Sequence, residues 1–268
     1  MLLREVEYAR PATVEEAVAV LAAHEGARAL AGGQTLINVM KQRAAAPEVL
    51  VDLADLDELR EIGFSSDGML EIGAMVTCAQ LQGSSEVDVA RPILAEVAGT
   101  IADVQVRNRG TIGGNVCVSD PTNHFPPLLV ALDATFTIRG ATGERTVSAG
   151  EFFLGVYMTA AGPGELLTKI TVPPGRSDGF ASVPIGVDGT CIVNAAASVN
   201  GGVRVALGCV GATPVVVEPA STDAEAVHGA VRDSGIDPPS DVHASSDYRR
   251  RLAEVVAARA VEQAGRAS

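Results

Sequence analysis

The chain has 268 residues, and its formal net charge at pH 7 is −13. Hydrophobic residues make up 47% of the sequence, which is enough for a sizeable core and excludes disorder of the whole chain. The acidic balance argues against a nucleic-acid partner or an anionic membrane surface, because such surfaces are bound by concentrated lysine and arginine. A single bound phosphate group is the exception, because backbone N–H groups can hold it without lysine or arginine.

The N-terminal part of the chain predicts the order β-α-β-turn-α, closed by a further strand. Thr13 and Glu16 form a capping box ahead of a run with helical periodicity. The pair Gly32 and Gly33 separates the second strand from the second helix. The predicted elements are a strand over 4–8, a helix over 14–23, a strand over 27–31, a helix over 36–43 and a strand over 49–52.

The middle of the chain predicts two hairpins, several short helices and one longer strand. Asp67 and Gly68 form the turn of the first hairpin, and Pro173 and Pro174 stop the last strand. The predicted elements are a hairpin over 59–73, helices over 77–82 and 92–100, a short apolar segment over 127–132, a hairpin over 135–147 and a strand over 166–172.

The segment 173–178 is the predicted domain boundary, because proline, glycine and serine are concentrated in it. Beyond it, the sequence Asn200-Gly201-Gly202 predicts a hairpin over 192–210. A strand over 214–217 and helices over 223–231 and 248–264 follow. The sequence therefore predicts an α+β protein in two parts, about 1–173 and 178–268.

The four cysteines have neither zinc-ligand nor iron–sulfur spacing, which favours buried reduced thiols over a metal site. The N-terminal segment has no apolar signal region, and no stretch is long and apolar enough to span a membrane. Together these features predict a cytoplasmic protein. The cysteines are Cys78, Cys117, Cys191 and Cys209.

The segment Ala31-Gly32-Gly33-Gln34-Thr35 lies between a predicted strand and a predicted helix. Adjacent glycines allow positive φ and carry no Cβ that would block a ligand. Their N–H groups, with those of Gln34 and Thr35, can therefore point at one concave spot, and a phosphate or pyrophosphate is the natural occupant.

The segment Thr111-Ile112-Gly113-Gly114-Asn115 repeats this arrangement far away in the sequence. A single Gly-Gly pair is most often only a tight turn, but two such segments favour a diphosphate held from both sides. Neither segment has the glycine spacing of a Rossmann site or of a P-loop.

In these segments the chain resembles the FAD-binding medium subunits of molybdenum hydroxylases. That group includes the medium subunit of carbon monoxide dehydrogenase and the flavin domain of xanthine dehydrogenase. The similar segments follow in order over nearly the whole length. They are residues 30–36 with 41–43, 105–115, 151–173, 203–208 with 212–214, and 248–250.

The resemblance implies an α+β fold with a two-lobed FAD-binding domain of the vanillyl-alcohol-oxidase (PCMH) type, with lobes over about 1–54 and 55–173. A small C-terminal domain of antiparallel sheet and helices over 178–268 follows. The cofactor it implies is FAD. The residues it implies for binding FAD are Ala29, Leu30, Ala31, Gly32, Gly33, Gln34, Thr35, Leu36, Ile101, Thr111, Ile112, Gly113, Gly114, Asn115, His124 and Leu167.

The role that the resemblance implies is electron transfer. A large molybdopterin subunit would oxidise the substrate, a small subunit with 2Fe–2S clusters would carry the electrons, and FAD would pass them to NAD⁺, a quinone or oxygen. The assembly would be a heterotrimer or a dimer of heterotrimers. The alternative is a standalone flavoenzyme that oxidises or oxygenates a small molecule directly, with His124 or Tyr157 as weak catalytic candidates.

The sequence departs from the family pattern at two positions. His124 stands where the family usually has an acidic residue, and no lysine follows Phe180. His124 could bond the ribityl chain, act as a base or be a satisfied loop histidine. Tyr157 could lie near the flavin edge or be buried with a bonded hydroxyl. Cys117 is expected to be a small core residue, and Arg107 and Arg109 could bind phosphate or make structural bonds.

Overall fold

In the computed structural model, which describes residues 3–186 and 190–267, the chain begins with a small parallel sheet in the order β1-β3-β2. Its strands are β1 (Glu7–Ala9), β2 (Ala27–Leu30) and β3 (Val49–Asp52). Two helices follow the first two strands: α1 (Val14–Ala23) and α2 (Leu36–Lys41).

Helix α1 packs one apolar stripe on this sheet. Val14, Ala17, Val18 and Leu21 are its buried residues, and they recur at helical spacing. The Thr13 hydroxyl accepts from the N–H of Glu16, as the capping-box pattern predicts. The Glu16 carboxylate accepts from the N–H of Ala12, one residue before the cap. The predicted helix is confirmed over its full range.

The second sheet is antiparallel, with strand order β4-β5-β10-β6-β7. Two further short strands pair separately. The strands in chain order are β4 (Ile62–Phe64), β5 (Leu70–Gly73), β6 (Thr135–Gly140), β7 (Gly143–Ser148), β8 (Phe153–Gly155), β9 (Met158–Thr159) and β10 (Leu166–Val172).

Seven short helices accompany this sheet, and α8 is buried along its whole length. Prolines stand in the first turn of α8, where a missing N–H breaks no helical hydrogen bond. The helices are α3 (Cys78–Gly83), α4 (Ser85–Ala90), α5 (Ile93–Gly99), α6 (Val104–Arg107), α7 (Ile112–Val118), α8 (Phe125–Ala131) and α9 (Ala149–Phe152).

The C-terminal part is a four-stranded antiparallel sheet in chain order, with two helices. Alternate residues of its second strand belong to different cores: Ala195 and Ala197 face the last helix, whereas Ala196 joins the core around α8. The elements are β11 (Asp178–Pro184), β12 (Cys191–Ser198), β13 (Arg204–Gly208), β14 (Val215–Val217), α10 (Ala224–Asp233) and α11 (Ser246–Arg266).

Several predicted boundaries are wrong. The first strand begins at Glu7, and the first arm of the hairpin begins at Ile62, because residues 59 and 60 belong to a 3₁₀ turn over 57–60. Strand β11 was not predicted at all, because its glycine, serine and proline are poor strand formers and only pairing with β12 makes them extended. Within the residues that the structure describes, no helix is long and apolar enough to cross a membrane.

A buried ion pair connects the end of α4 to the start of β11. Arg91 and Asp178 approach to 2.6 Å, with side chains only 3% and 1% exposed. The same guanidinium donates to the carbonyl of Pro173 at 2.8 Å and to the hydroxyl of Ser198 at 3.1 Å. Arg91 therefore holds residues 173–178, which connect the two parts of the chain, against the end of α4.

We expect Arg91→Ala to lower the free energy of unfolding by about 3–5 kcal/mol, because it leaves the Asp178 carboxylate buried without its cation. The matched control is Arg10→Ala, which removes the exposed ion pair with Asp55 and should cost less than about 1 kcal/mol. Urea unfolding measures both values. Equal losses in the two variants would show that the buried pair does not hold the parts together.

Candidate functional site

A cavity of about 990 Å³ opens beside both glycine segments. That volume is at the upper end of the range for small-molecule sites, about 300–1,000 Å³. Its wall combines β2 and the following loop, the start of α7, the loop before α8, and the chain from Tyr157 to Leu167. Segments distant in sequence therefore meet around one space.

The two glycine segments are in direct contact. A Cβ on Gly32 would overlap the carbonyl group of Arg109, and it would lie 3.0 Å from the Cα of Gly110. A Cβ on Gly114 would lie 3.6 Å from the Cβ of Ala31. The prediction that the two segments converge is confirmed, and glycine at position 32 is required by this close backbone approach.

The first segment leaves a row of backbone donors without acceptors. Among the described residues, no acceptor is found for the N–H groups of residues 32–35. Gly33 has a φ of 73°, a conformation that favours glycine. The Gln34 side chain donates to the carbonyl of Gly32 at 3.1 Å and braces the loop. Four consecutive N–H groups on a cavity wall are a site for an anionic ligand.

The second segment differs from its prediction, because Gly113 and Gly114 lie in the first turn of α7 and have no positive φ. Glycine is needed at position 113, where a Cβ would lie 2.5 Å from the carbonyl oxygen of Ala74. The N–H groups of this segment donate within the protein. In order from residue 112, they bond to Val76 O at 2.9 Å, Ala74 O at 3.0 Å, Thr111 Oγ1 at 3.0 Å and Thr111 O at 3.0 Å.

The expectation that this segment offers a second row of free N–H groups is therefore wrong. It offers side chains in their place. Thr111 and Asn115 both line the cavity. The side-chain oxygen of Asn115 is buried and has no partner among residues 3–186 and 190–267. Such an atom is costly unless a ligand or water satisfies it.

His124 is buried on the cavity wall, and only one of its two ring nitrogens has a partner. Nδ1 lies 3.1 Å from the hydroxyl of Thr100, which donates its own hydrogen to the carbonyl of Val97 at 2.7 Å. Since that hydroxyl has one hydrogen, Nδ1 carries a proton and donates to it. Nε2 is buried and has no partner in the described chain. The ring of Phe180 lies 5.0 Å away.

Fourteen of the sixteen predicted binding residues line the cavity, and Leu30 and Ile112 do not. Ile112 is fully buried in the core, and its N–H is bonded to Val76. The fourteen residues are Ala29, Ala31, Gly32, Gly33, Gln34, Thr35, Leu36, Ile101, Thr111, Gly113, Gly114, Asn115, His124 and Leu167.

Three alternatives left open by the sequence are decided by the structure. Tyr157 lines the cavity but is 65% exposed, and its hydroxyl donates to Asp120 at 3.3 Å, so it is not a buried tyrosine. The charge of Asp120 raises the pKa of that phenol. Arg107 makes structural bonds to the carbonyls of residues 101 and 102. Cys117 is exposed on the cavity wall, whereas a core position was expected.

Sequence reasoning missed several wall residues. Arg28 and Glu165 are the charged side chains of the wall, and the loop Gly162-Pro163-Gly164 forms part of it. That loop is visible in the sequence as a turn, but nothing in it indicates which space it borders. Cys78 also lines the wall, and burial raises the pKa of its thiol to about 11, which keeps it neutral.

Comparison with known proteins agrees with this geometry. Residues 4–175 match the family model described as the FAD binding domain in molybdopterin dehydrogenase. The chain is 38% identical to the carbon monoxide dehydrogenase medium chain of Afipia carboxidovorans, over 98% of each chain. It is 33% identical to the glyceraldehyde dehydrogenase medium chain of Sulfolobus acidocaldarius, over 97% of this chain and 98% of the relative.

Solved structures agree as well. A chain of quinoline 2-oxidoreductase from Pseudomonas putida superposes with a TM-score of 0.91 at 34% identity, covering 99% of both chains. The fold and the cavity define an FAD-binding flavoprotein, part of an oxidoreductase. Within that class, the chain belongs to the family of FAD-binding medium subunits of molybdenum hydroxylases.

We expect Gly32→Ala to weaken FAD binding and to lower the free energy of unfolding by about 1–3 kcal/mol, because the new Cβ forces the two glycine segments apart. The control is Gly63→Ala, where a Cβ meets nothing within 4 Å. Flavin fluorescence titration and urea unfolding measure the two effects. A Gly32→Ala protein with unchanged affinity and stability would contradict the close contact.

Proposed function

We propose that the cavity holds the FAD, with its diphosphate on the N–H groups of residues 32–35. The observation that carries this proposal is the row of four backbone donors without protein acceptors on the wall of a large cavity. Hydrogen bonds to charged groups contribute roughly 1.5–3 kcal/mol each, so four such donors favour a diphosphate without any lysine or arginine.

The second segment would add side chains to the cofactor site. The Thr111 hydroxyl borders the same space and would donate to the diphosphate, and the unpaired Asn115 side-chain oxygen would accept from a hydroxyl or N–H group of the cofactor. Ile101 and Leu167 would supply apolar surface against the planar parts of the cofactor, with Leu167 near the isoalloxazine. His124 would form a hydrogen bond to the cofactor through Nε2, since its ring is held by Thr100 and that nitrogen has no partner among the described residues.

The proposed role is electron transfer within a larger complex. When bound, FAD accepts and releases electrons singly or in pairs, which suits a junction between one-electron and two-electron partners. A large molybdopterin subunit and a small 2Fe–2S subunit would be the partners, in a heterotrimer or a dimer of heterotrimers. NAD⁺, a quinone or oxygen would be the final acceptor. Full-length similarity to medium chains supports this assignment.

We further propose that the domain division predicted above matches the three hydrophobic cores. One core contains residues 14–59 with Met75 and Leu166, and corresponds to the lobe over about 1–54. A second lies mainly within residues 70–172, and corresponds to the lobe over about 55–173. The third lies within residues 181–264, and corresponds to the domain over 178–268.

The partner assignment is tested by tagging the chain in its native host and purifying it under mild conditions. We expect molybdopterin and iron–sulfur chains to co-purify, and their mass ratio gives the stoichiometry. Anaerobic reduction followed by mixing with NAD⁺, a quinone or oxygen identifies the acceptor from the rate of flavin reoxidation. A chain that purifies alone and oxidises a small molecule by itself would establish the standalone flavoenzyme.

We expect His124→Ala to raise the dissociation constant for FAD about tenfold, because one hydrogen bond to the cofactor, about 1.4 kcal/mol, is lost. The control is His243→Ala, on the exposed loop before α11, which should bind FAD like the original chain. Fluorescence titration of the purified chains measures both constants. If both variants bind FAD equally well, His124 does not contact the cofactor.

A further inference from the structure

Two cysteines at one end of the β12–β13 hairpin face each other behind the cavity wall. The sulfur atoms of Cys191 and Cys209 are 3.2 Å apart, on the first residue of β12 and on the residue after β13. They are 1% and 5% exposed. Among the described residues, these are the two cysteines whose thiols lie within hydrogen-bond distance of each other.

The two thiols have different hydrogen-bond partners. The side-chain amide of Asn194 donates to the sulfur of Cys191 at 3.0 Å, and that thiol can itself donate to the carbonyl of Thr122 at 3.4 Å. Cys209 lies 3.2 Å from the carbonyl of Pro121, to which its thiol can donate. A thiolate is therefore stabilised at Cys191, where an N–H donor is present, and opposed at Cys209, where the non-cysteine partner is a carbonyl oxygen.

The expected titration agrees with this geometry. The pKa of the Cys191 thiol is lowered to about 6, first because the Cys209 thiol bonds to it, and further by His124 and Asn194, while burial acts in the opposite direction. The pKa of Cys209 is raised, first by the same bond to Cys191 and then by burial. Both directions favour a thiolate at Cys191 over one at Cys209.

The backbone also holds Cys209 in an uncommon conformation. Its φ is 64°, in the left-handed region that residues with a side chain rarely adopt. Glycine stands on the preceding position and two positions later. A residue with a side chain stays in this conformation only where the surrounding structure holds it there.

We propose that Cys191 and Cys209 form a redox-active dithiol site that reacts with small-molecule disulfides and closes to an intramolecular disulfide. The site goes beyond electron transfer through FAD and does not depend on it. A disulfide bond is about 2.05 Å long, so closing it from the observed separation needs a movement of about 1 Å.

The reaction takes two steps. The Cys191 thiolate attacks one sulfur of the small-molecule disulfide, which forms a mixed disulfide at Cys191 and releases one thiolate. Cys209 then gives its proton to the thiolate released in the first step and attacks the Cys191 sulfur, which forms the Cys191–Cys209 bond and releases the second half of the small molecule as a thiolate. In sum, the Cys191 thiolate and the Cys209 thiol lose one proton and two electrons, and the small disulfide gains them as it becomes one thiol and one thiolate.

The pair lies directly behind the cavity wall. Thr122 and Thr190 line the cavity, and Cys191 follows Thr190 and contacts the carbonyl of Thr122. Asn194 donates to the carbonyl of Asn123 as well as to Cys191. Closing the disulfide would therefore shift the loop that carries His124.

The experiment uses the full chain with Cys78→Ser and Cys117→Ser, because those two thiols line the cavity and would react independently. The native protein is treated with the neutral aromatic disulfide dithiodipyridine, and the released chromophore is counted against the adduct retained in the intact mass. We expect two equivalents released, no retained adduct and the loss of two hydrogen atoms from the protein. Adding Cys209→Ser should give one equivalent and a stable adduct on Cys191.

Adding Cys191→Ser instead should slow the reaction of Cys209 at least tenfold, because its thiol stays protonated. Peptide mapping of the treated original chain gives a second measurement that does not depend on any variant, and we expect linked peptides containing residues 191 and 209. Retained adduct equal to the chromophore released, or release only after denaturation, would overturn the proposal. FAD binding measured on the same samples tests the proposed function separately, since linked peptides are detected whether or not the chain binds FAD.

Discussion

The structure depends on one close approach between two backbones. Gly32 lies against the peptide that joins Arg109 to Gly110, and a Cβ at position 32 would overlap the carbonyl group of Arg109. Gly113 makes a similar approach to Ala74. These contacts bring the small parallel sheet against the start of α7, and the cavity exists because the two segments meet there. In the two glycine segments, glycine serves chiefly by permitting contact, and of their four glycines only Gly33 has a positive φ.

Unsatisfied polar groups distinguish the ligand-facing parts of the cavity from the structural parts. Helix α7 uses its own first-turn N–H groups on protein acceptors, so its glycines serve packing. The loop over residues 32–35 keeps its N–H groups available, and the orphaned atoms of Asn115 and His124 border the same space. Buried polar atoms are nearly always paired in folded proteins, so atoms left unpaired on a cavity wall indicate where a ligand completes the structure.

The C-terminal sheet takes part in the site although its core is separate. Helix α8 packs on β12 and β13, so Ala196 and Ala206 belong to the same core as the middle sheet. The loop before α8 ends at His124, which therefore lies between the cavity and the C-terminal sheet. The Arg91–Asp178 ion pair is a second connection, between the end of α4 and the start of β11. The cavity wall at His124 is thus supported by both parts of the chain.

The sequence by itself determined the amphipathic helix over 14–23, the strand over 166–172 and the segments that border the cavity. These features rest on local periodicity, caps and glycine pairs, which depend on neighbouring residues. Strand β11 and the helical state of Gly113 and Gly114 were decided only by tertiary structure. The physical reason is that hydrogen-bond partners and close backbone contacts come from segments distant in sequence. Whether a glycine N–H is free for a ligand or already bonded depends on those partners, and a local sequence pattern does not identify them.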